Sequence, residues 1–346
     1  MIIFYFFLVI LLIIPLPRFG KGGVFKDYID PKETLCIKGI FVILVMLSHF
    51  KGYITLSDNF ADQMFATING YIGQLMVTLF FFYSGYGIYE SVKAKGRNYV
   101  VYFPKKRVLI TWLSFAICVT LFLIEGYLLG NSFEPKTILL SYLGWDTLGN
   151  SNWFMFVTFG MYVMFFLAFI FDGNTTSIKS LLLFTILTLL FTAFLYLTKE
   201  SWWWNTAFCF PLGMWFSRYR NFIDEFCRTK KYGWIVLLMI SGIGFLVSYY
   251  VSMKYSGVIF LIAACFFCLF VVVLSMKVKI RNSVLAFLGK HVFSIYMLQR
   301  LWYIPLSTVE MNRYLFLAIS VVLTISSAVL FDYVMDKIRT RLLVSV

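Results

Sequence analysis

The chain has 346 residues, of which 61% are hydrophobic and only 13% are charged, and its mean hydropathy is +0.85. Soluble domains carry about 25% charged residues, so the composition excludes an ordinary soluble protein. The net charge of +14 does not indicate nucleic-acid binding, because basic residues of membrane proteins gather in their cytoplasmic loops. Long apolar runs recur along the whole length and predict an all-α, polytopic transmembrane helical bundle.

Eleven apolar segments are candidates for membrane-spanning helices. We expect them at about residues 2–17, 35–53, 71–91, 108–127, 153–171, 178–197, 203–216, 233–251, 257–275, 284–303 and 314–335. The first segment lacks a basic region before it and ends in Pro15-Leu-Pro-Arg18, so we predict a retained membrane helix rather than a signal peptide.

Lysine and arginine residues are concentrated in alternate links between these segments. The basic links lie within residues 18–32, 93–107, 218–231, 277–281 and 337–341, whereas the other links are poor in cations. Because short cytoplasmic loops are enriched in lysine and arginine, the pattern predicts an external N-terminus and a cytosolic C-terminus.

The six cysteines predict no disulfide framework, because five of them lie in or at the edges of apolar segments. Cys265 and Cys268 have the spacing of metal ligands, but their surroundings are apolar and no second pair exists. We therefore expect no metal site.

A lysine and a histidine bracket the apolar run of the second segment. Lys38 and His49 are eleven residues apart, close to three helical turns, so they share a helix face about 16 Å apart along the axis. Ionisable groups inside a span are costly and commonly functional. A neutral His49 could accept a proton from a hydroxyl as a general base. The alternatives are a histidine hydrogen-bonded between helices and a lysine that snorkels to the membrane edge.

The third segment contains Phe80-Phe-Phe-Tyr-Ser-Gly-Tyr-Gly87 and is followed by a basic link that ends in Lys105-Lys-Arg107. Gly85 and Gly87 predict close helix packing, because glycine lets neighbouring helices approach. Positive-inside topology alone explains the basic link. The sharper interpretation is a cytoplasmic site for a phosphorylated donor, with lysine and arginine binding its phosphates.

Aromatic and polar residues mark two further stretches. Trp153 and the run Trp202-Trp-Trp204 are expected in the interfacial aromatic belt. In the tenth segment, His291 lies near the predicted cytoplasmic interface, which favours an interfacial role over catalysis.

Taken together, these segments resemble the family-3 integral-membrane acyltransferases, which include bacterial O-acetyltransferases of surface polysaccharides and peptidoglycan. The matching motifs are Lys38 with His49, Phe81-Phe-Tyr-Ser-Gly-Tyr86 with Lys105-Lys-Arg107, Trp153-Phe154, Pro211-Leu-Gly-Met214 and Ser294-Ile-Tyr296. The resemblance implies a ten-helix acyltransferase domain at residues 34–346, preceded at residues 1–33 by an extra N-terminal transmembrane helix and a basic cytoplasmic link. Three residues depart from the family pattern: Lys38 replaces the usual arginine, Ile110 a frequent second arginine, and Gln299 a frequent second histidine.

The resemblance implies a function in the bacterial cytoplasmic membrane. An acyl group, expected to be acetyl, would move from cytoplasmic acetyl-CoA to a sugar hydroxyl of an extracytoplasmic or lipid-linked glycan. A separate extracytoplasmic acyl-handling protein is a further possible partner. The implied residues are His49 for catalysis, Lys38, Lys105, Lys106 and Arg107 for the donor, and Tyr83, Ser84, Trp153, Tyr296 and Gln299 along the path or at the acceptor side.

Two other classes of function stay open at this point. An exporter or flippase of a polysaccharide precursor would also need a polar path through the helices, although it should depend on paired intramembrane charges or broken helices. A purely structural or receptor-like bundle predicts that Lys38 and His49 can be replaced without loss.

Overall fold

The computed structural model describes residues 1–14, 18–19, 23–173 and 176–344. Most of these residues are helical and very few are in strands, which confirms the all-α, polytopic fold. In this part of the chain, seven helical segments are long and apolar enough to cross a membrane. They are Pro31–Tyr53, Phe60–Leu128, Trp153–Ile170, Ile178–Thr198, Gly233–Lys254, Gly257–Ser275 and Arg313–Leu342.

Fourteen helices follow one another along the described residues. They are α1 (Ile3–Ile13), α2 (Pro31–Phe50), α3 (Phe60–Ile72), α4 (Leu75–Phe103), α5 (Ile110–Leu128), α6 (Pro135–Tyr142), α7 (Trp153–Ile170), α8 (Ile178–Thr198), α9 (Cys209–Thr229), α10 (Gly233–Lys254), α11 (Phe260–Ser275), α12 (Ser283–Lys290), α13 (Val292–Leu306) and α14 (Arg313–Val344). Two short strands, β1 (Arg18–Phe19) and β2 (Val278–Lys279), pair in antiparallel register.

Helix α4 contains a sharp turn at Gly96, whose φ of 57° and ψ of −142° are not helical. Before this turn, the Tyr89 ring lies 6.3 Å from Phe169 near the end of α7. After it, the Phe103 ring lies 5.3 Å from Tyr162, about two turns back along α7. The chain therefore reverses direction at Gly96, a conformation that glycine adopts without steric cost.

This reversal corrects the expected position of the basic run. Lys105, Lys106 and Arg107 do not lie in a link, because they belong to a π-helical stretch, Pro104–Leu109, that continues from α4 into α5. They follow Gly96 by nine to eleven residues, or about 14–16 Å along a helix. Pro104 has no N–H to donate to the helical hydrogen-bond ladder, which accounts for the wider turn.

The expected tenth segment is also interrupted. His291 has φ −99° and ψ 16° and separates α12 from α13. Its Nδ1 lies 2.5 Å from Oδ2 of Asp332 on α14, and the Ser294 hydroxyl donates to the other carboxylate oxygen. His291 is buried, so the structure assigns it to a contact between helices.

Two helix pairs approach so closely that only glycine fits between them. A Cβ on Gly39 of α2 would lie 2.0 Å from the Leu285 carbonyl oxygen of α12. A Cβ on Gly85 of α4 would lie 2.0 Å from the Phe210 carbonyl oxygen of α9. The packing role expected for Gly85 is confirmed, whereas Gly87 has open space around its Cα and the expectation is wrong there.

Helix α1 has eleven residues, about 16 Å, and is shorter than the roughly 20 residues of a straight crossing. Its start contacts the external-side helices of the predicted topology, with the Tyr5 ring 5.6 Å from Phe65. At its other end, the Asn282 amide donates to the carbonyl oxygens of Leu11 and Ile14. The expected end of this segment, residues 15–17, lies outside the described residues.

The seventh segment begins later than expected, at Cys209 instead of Trp203. Trp203 and Trp204 are 7% and 5% exposed, so these two rings pack into the protein and do not form a lipid-facing belt. Trp202 is 43% exposed and alone fits the expectation for this run.

Candidate functional site

His49 lies in the last turn of α2, which ends at Phe50. Since α2 begins at Pro31, Lys38 and His49 lie on one uninterrupted helix, and the expected separation of about 16 Å follows from its rise. The Nδ1 atom of His49 is buried and has no hydrogen-bond partner. The imidazole has a hydrogen-bond partner in Gln299 of α13, so His49 is held between helices, as that alternative expects, while its Nδ1 stays unpaired.

Helix α13 faces His49 with two of the expected residues. The rings of His49 and Tyr296 lie 6.0 Å apart at an angle of 54°. Gln299 is fully buried one turn further along α13, where its amide nitrogen donates to the Tyr296 carbonyl oxygen at 3.0 Å. The Gln299 side-chain oxygen and the Tyr296 hydroxyl are both buried without a well-aligned hydrogen bond, although Ser151 lies close to the Tyr296 hydroxyl.

Arg300 is a residue of this site that the sequence reasoning missed. Its guanidinium acts electrostatically on both His49 and Tyr296. One nitrogen, Nη1, donates to the Gly149 carbonyl oxygen at 3.3 Å, whereas Nε is buried without a partner. A cation inside an apolar segment was the signal that could have identified it, because such groups mark functional sites in membrane proteins.

Unpaired polar atoms are concentrated around His49. Among the described residues, four neighbouring side chains, His49, Tyr296, Gln299 and Arg300, each bury one polar atom without a partner. Each such atom costs about 1–3 kcal/mol, and most buried polar groups in native proteins are paired. The cluster therefore has the properties of a binding site whose hydrogen bonds are completed by a ligand.

Aromatic rings and a polar loop form the walls of this site. The Phe154 ring of α7 lies 5.4 Å from Tyr296 and 4.5 Å from Phe81 of α4. Trp153 packs edge-on against Phe154 at 5.8 Å and is half-buried, so it lies one layer behind. The loop before α7 is held by Asn152, whose amide donates to two backbone carbonyl groups of the same loop.

Lys38 and Tyr83 contact each other nearer the start of α2, away from His49. The Lys38 Nζ lies 5.6 Å from the centroid of the Tyr83 ring, which is buried. Ser84 follows Tyr83 on α4 and is half-buried. The structure thus joins two of the expected residues into a cation–π pair that lies about three helical turns from His49.

The basic run of the π-helical stretch is separate from Lys38. Lys105 and Lys106 are exposed, and the Lys106 Nζ lies 5.0 Å from the Tyr102 ring. Arg107 is exposed as well and lies close to Tyr99 and Tyr162. No hydrogen bond, ion pair or ring contact joins this run to Lys38 in the described part of the chain, so the structure does not bring the four expected donor residues together.

Comparison with known proteins identifies the family. The model of the acyltransferase domain that defines the family 3 acyltransferases matches residues 27–333, which is nearly the whole chain. No curated protein and no solved structure matches the chain significantly. Within the described residues, no group of histidine, cysteine or acidic side chains is arranged to hold a metal ion. The chain belongs to the family 3 acyltransferases, and its apolar helices make it a multi-pass membrane acyltransferase.

Proposed function

We propose that the protein transfers an acetyl group from cytosolic acetyl-CoA to a sugar hydroxyl of an extracytoplasmic or lipid-linked glycan, in the bacterial cytoplasmic membrane. The observation that carries this proposal is the cluster of unpaired polar atoms around His49, inside a chain of the acyltransferase family. The orientation predicted by the basic links, with an external N-terminus and a cytosolic C-terminus, puts His49 toward the outer face and Lys38 toward the cytosol.

His49 would act as the general base. The sugar hydroxyl oxygen attacks the thioester carbonyl carbon while its proton passes to the imidazole. The tetrahedral intermediate then expels the CoA sulfur, which takes the proton from His49, and the ester remains on the sugar. Arg300 and the Tyr296 hydroxyl have unpaired donors near His49 and would stabilise the oxyanion. A variant of this mechanism, in which His49 briefly carries the acyl group, uses the same residues.

The donor would enter from the Lys38 side. The pantetheine arm between pyrophosphate and sulfur has about the length of four extended residues, or roughly 14 Å. This matches the rise of about 16 Å between Lys38 and His49. Lys38 and Tyr83 would therefore lie beside the pyrophosphate, with Ser84 along the path. Lys105, Lys106 and Arg107 remain candidate donor residues, and Arg107, which interacts with tyrosines of the bundle, is the strongest of the three.

The acceptor would approach the opposite side of the site, near Gln299 and Trp153. The buried Gln299 oxygen without a partner can accept a hydrogen bond from a sugar hydroxyl. A separate extracytoplasmic protein would be needed only where the glycan cannot reach this site, and the acyl group would then pass through that protein.

The test is the O-acyl content of the surface glycan, measured by proton NMR in cells that carry the wild-type protein, none, or His49→Ala. Lys51→Gln, just beyond the end of α2, is the matched control. We expect O-acyl signals to be lost in the null strain and in His49→Ala at unchanged glycan and protein amounts. Persistent acylation in His49→Ala contradicts the mechanism, and glycan that accumulates inside without an acyl difference would favour the exporter.

A further inference from the structure

A cavity of about 630 Å³ lies at the end of α4 that precedes the Gly96 turn. Its described lining comes from α4 (Tyr89 and Lys93), from α9 (Arg218 and Tyr219) and from the start of α8. Small-molecule sites commonly enclose about 300–1,000 Å³, so the volume suits a nucleotide. None of these residues belongs to the site around His49.

Arg218 faces this cavity with unused hydrogen-bond donors. Its Nη1 donates to the Tyr89 hydroxyl at 3.1 Å and to the Thr176 carbonyl oxygen at 2.6 Å. No carboxylate in the described residues pairs with Arg218. A guanidinium has five N–H groups in a planar fork; Tyr89, Thr176 and Tyr219 use three of them, so two remain available for a phosphate.

Lys93 adds a second cation to the same wall. Its Nζ lies 2.6 Å from Oε1 of Glu90 and donates to the Ser217 carbonyl oxygen at 3.1 Å. Two cations and one carboxylate leave the wall with a net positive charge. Tyr219 is 45% exposed, stacks on Trp215 with a ring separation of 6.0 Å and has the Arg218 guanidinium 6.0 Å from its centroid, so its exposed part offers an aromatic surface to a base beside that cation.

We propose that this cavity binds the adenosine 3′,5′-bisphosphate part of the acyl-CoA donor, an inference that rests on the proposed function. Lys93 and Arg218 bind its phosphates, and Tyr219 stacks with its adenine. The order of these residues along α4 matches the order of the groups in the donor. Tyr83, beside Lys38, comes first. Tyr89 and Lys93 lie about 9 Å and about 15 Å further along α4, away from His49. The nucleotide, the pyrophosphate and the pantetheine arm thus occupy successive levels of the bundle.

The direct test is the binding of adenosine 3′,5′-bisphosphate to the full-length protein in neutral-lipid nanodiscs, measured by calorimetry. We expect Arg218→Gln and Lys93→Gln each to weaken binding about tenfold, because each removes one charge-assisted contact. Arg218→Lys keeps the charge, loses the fork, and should fall between the wild type and Arg218→Gln. Arg228→Gln, on the same helix but outside the cavity, should bind like the wild type and serves as the matched control. The thermal midpoint of each variant shows whether it is folded.

An anionic lipid headgroup offers the same phosphate chemistry, and a second arm separates the two sources. Nanodiscs that contain phosphatidylglycerol should leave nucleotide binding almost unchanged. Nucleotide binding that disappears in these nanodiscs, or that is equal in wild type and both glutamine variants, would overturn the proposal.

A third set of measurements distinguishes an error in the nucleotide site from an error in the proposed function. His49→Ala should bind the nucleotide like the wild type, because the cavity does not include His49. In turnover assays, Arg218→Gln should raise the KM for acetyl-CoA about tenfold at unchanged kcat. An unchanged KM in a folded, His49-dependent enzyme would refute the nucleotide site alone. Normal nucleotide binding by a wild-type protein that transfers no acyl group would refute the donor role alone.

Discussion

Two regions of the molecule bury charged and polar groups in opposite ways. Around His49, neighbouring side chains leave polar atoms without partners. Around Lys279, at the other end of α2, the buried Nζ lies 2.5 Å from Asp27 and 3.4 Å from Glu33 and sits over the Phe25 ring. A buried charge that has its partners belongs to the structure of the fold. Neighbouring polar groups without hydrogen-bond partners indicate a site whose hydrogen bonds a ligand completes.

Arg220 on α9 belongs to the same paired type as Lys279. It donates to the Tyr86 hydroxyl at 2.7 Å and to the Lys26 carbonyl oxygen at 2.5 Å, and it lies 3.6 Å from Asp224. Tyr28 donates to the same Asp224, which raises the pKa of the Tyr28 hydroxyl in addition to the larger effect of its burial. This network ties the link before α2 to α4 and α9, so we expect its loss to affect stability more than chemistry.

The largest expected effect is on catalysis by His49→Ala. Loss of a general base should reduce the turnover number by about 10²–10⁴-fold. The free energy of unfolding should fall only slightly, because removing a buried unpaired nitrogen offsets part of the cost of the lost packing against Tyr296. Turnover and thermal stability of the purified variant check both parts, and a large loss of stability would break the contrast between the two regions.

Lys279→Gln should show the reverse pattern. Replacing this buried cation should cost about 1–3 kcal/mol, because Asp27 and Glu33 lose their charge-assisted contacts while water still reaches Asp27, which is 47% exposed. The acyl-transfer rate per folded molecule should remain near that of the wild type. Denaturant titration in detergent measures the first quantity, and turnover normalised to folded protein measures the second. Lys277→Gln, two residues earlier, is the control.

Arg300→Gln should sharpen the assignment of the oxyanion donor. Replacing Arg300 should lower kcat roughly tenfold to a hundredfold. This effect is somewhat smaller than the loss of a sole oxyanion donor, because the Tyr296 hydroxyl remains. Arg300→Lys should recover part of the rate, since it keeps the charge without the planar fork. An unchanged kcat in Arg300→Gln would contradict the role of this residue as an oxyanion donor.

Substitutions at two glycines of α4 test the helix packing that positions both regions. Gly85→Ala should destabilise the protein by about 1–3 kcal/mol, because its Cβ would overlap the Phe210 carbonyl oxygen. Gly87→Ala has open space and should be neutral or stabilising by up to about 1 kcal/mol. Thermal unfolding of the two variants, side by side, measures the difference, and equal stabilities would contradict the close α4–α9 contact.

The smallest effect concerns pH. The hydrogen bond from Lys279 holds the pKa of Asp27 below its ordinary value of 3.8, although partial burial opposes this. A carboxyl group whose pKa is lower in the folded state stabilises the protein above its unfolded pKa, and this contribution is lost as the pH falls below about 4. Asp27→Asn should flatten this acid-side loss in unfolding titrations, and an identical pH profile for both proteins would contradict the ion pair.

Helical periodicity predicted the positions that depend on a single helix. Lys38 and His49 are related by the rise and twist of α2 alone, so their spacing could be worked out from the sequence. The position of Lys105–Arg107 could not, because it depends on where the chain reverses. Gly96, flanked by Lys95 and Arg97, was the available turn signal, but the basic residues on both sides allowed the whole stretch to be interpreted as one link.

The contacts between helices could not be predicted from patterns in the sequence. Arg300 meets His49 only because α13 packs beside α2, and His291 finds its partner Asp332 on α14, 41 residues away in the chain. Trp203 and Trp204 resemble interfacial residues in composition, yet the loop before α9 turns them inward against neighbouring aromatic rings. Tertiary packing decided each of these cases.

The most direct test of the contrast between the two regions is acetyl-CoA thioester consumption per folded molecule. Free CoA thiol would be measured for wild type, His49→Ala and Lys279→Gln in nanodiscs, with surface glycan from the null strain as acceptor. We predict that His49→Ala releases thiol at the background rate, whereas folded Lys279→Gln matches the wild type. Wild-type turnover by His49→Ala, or its loss in folded Lys279→Gln, would contradict the assignment of the unpaired cluster to chemistry and the paired network to the fold.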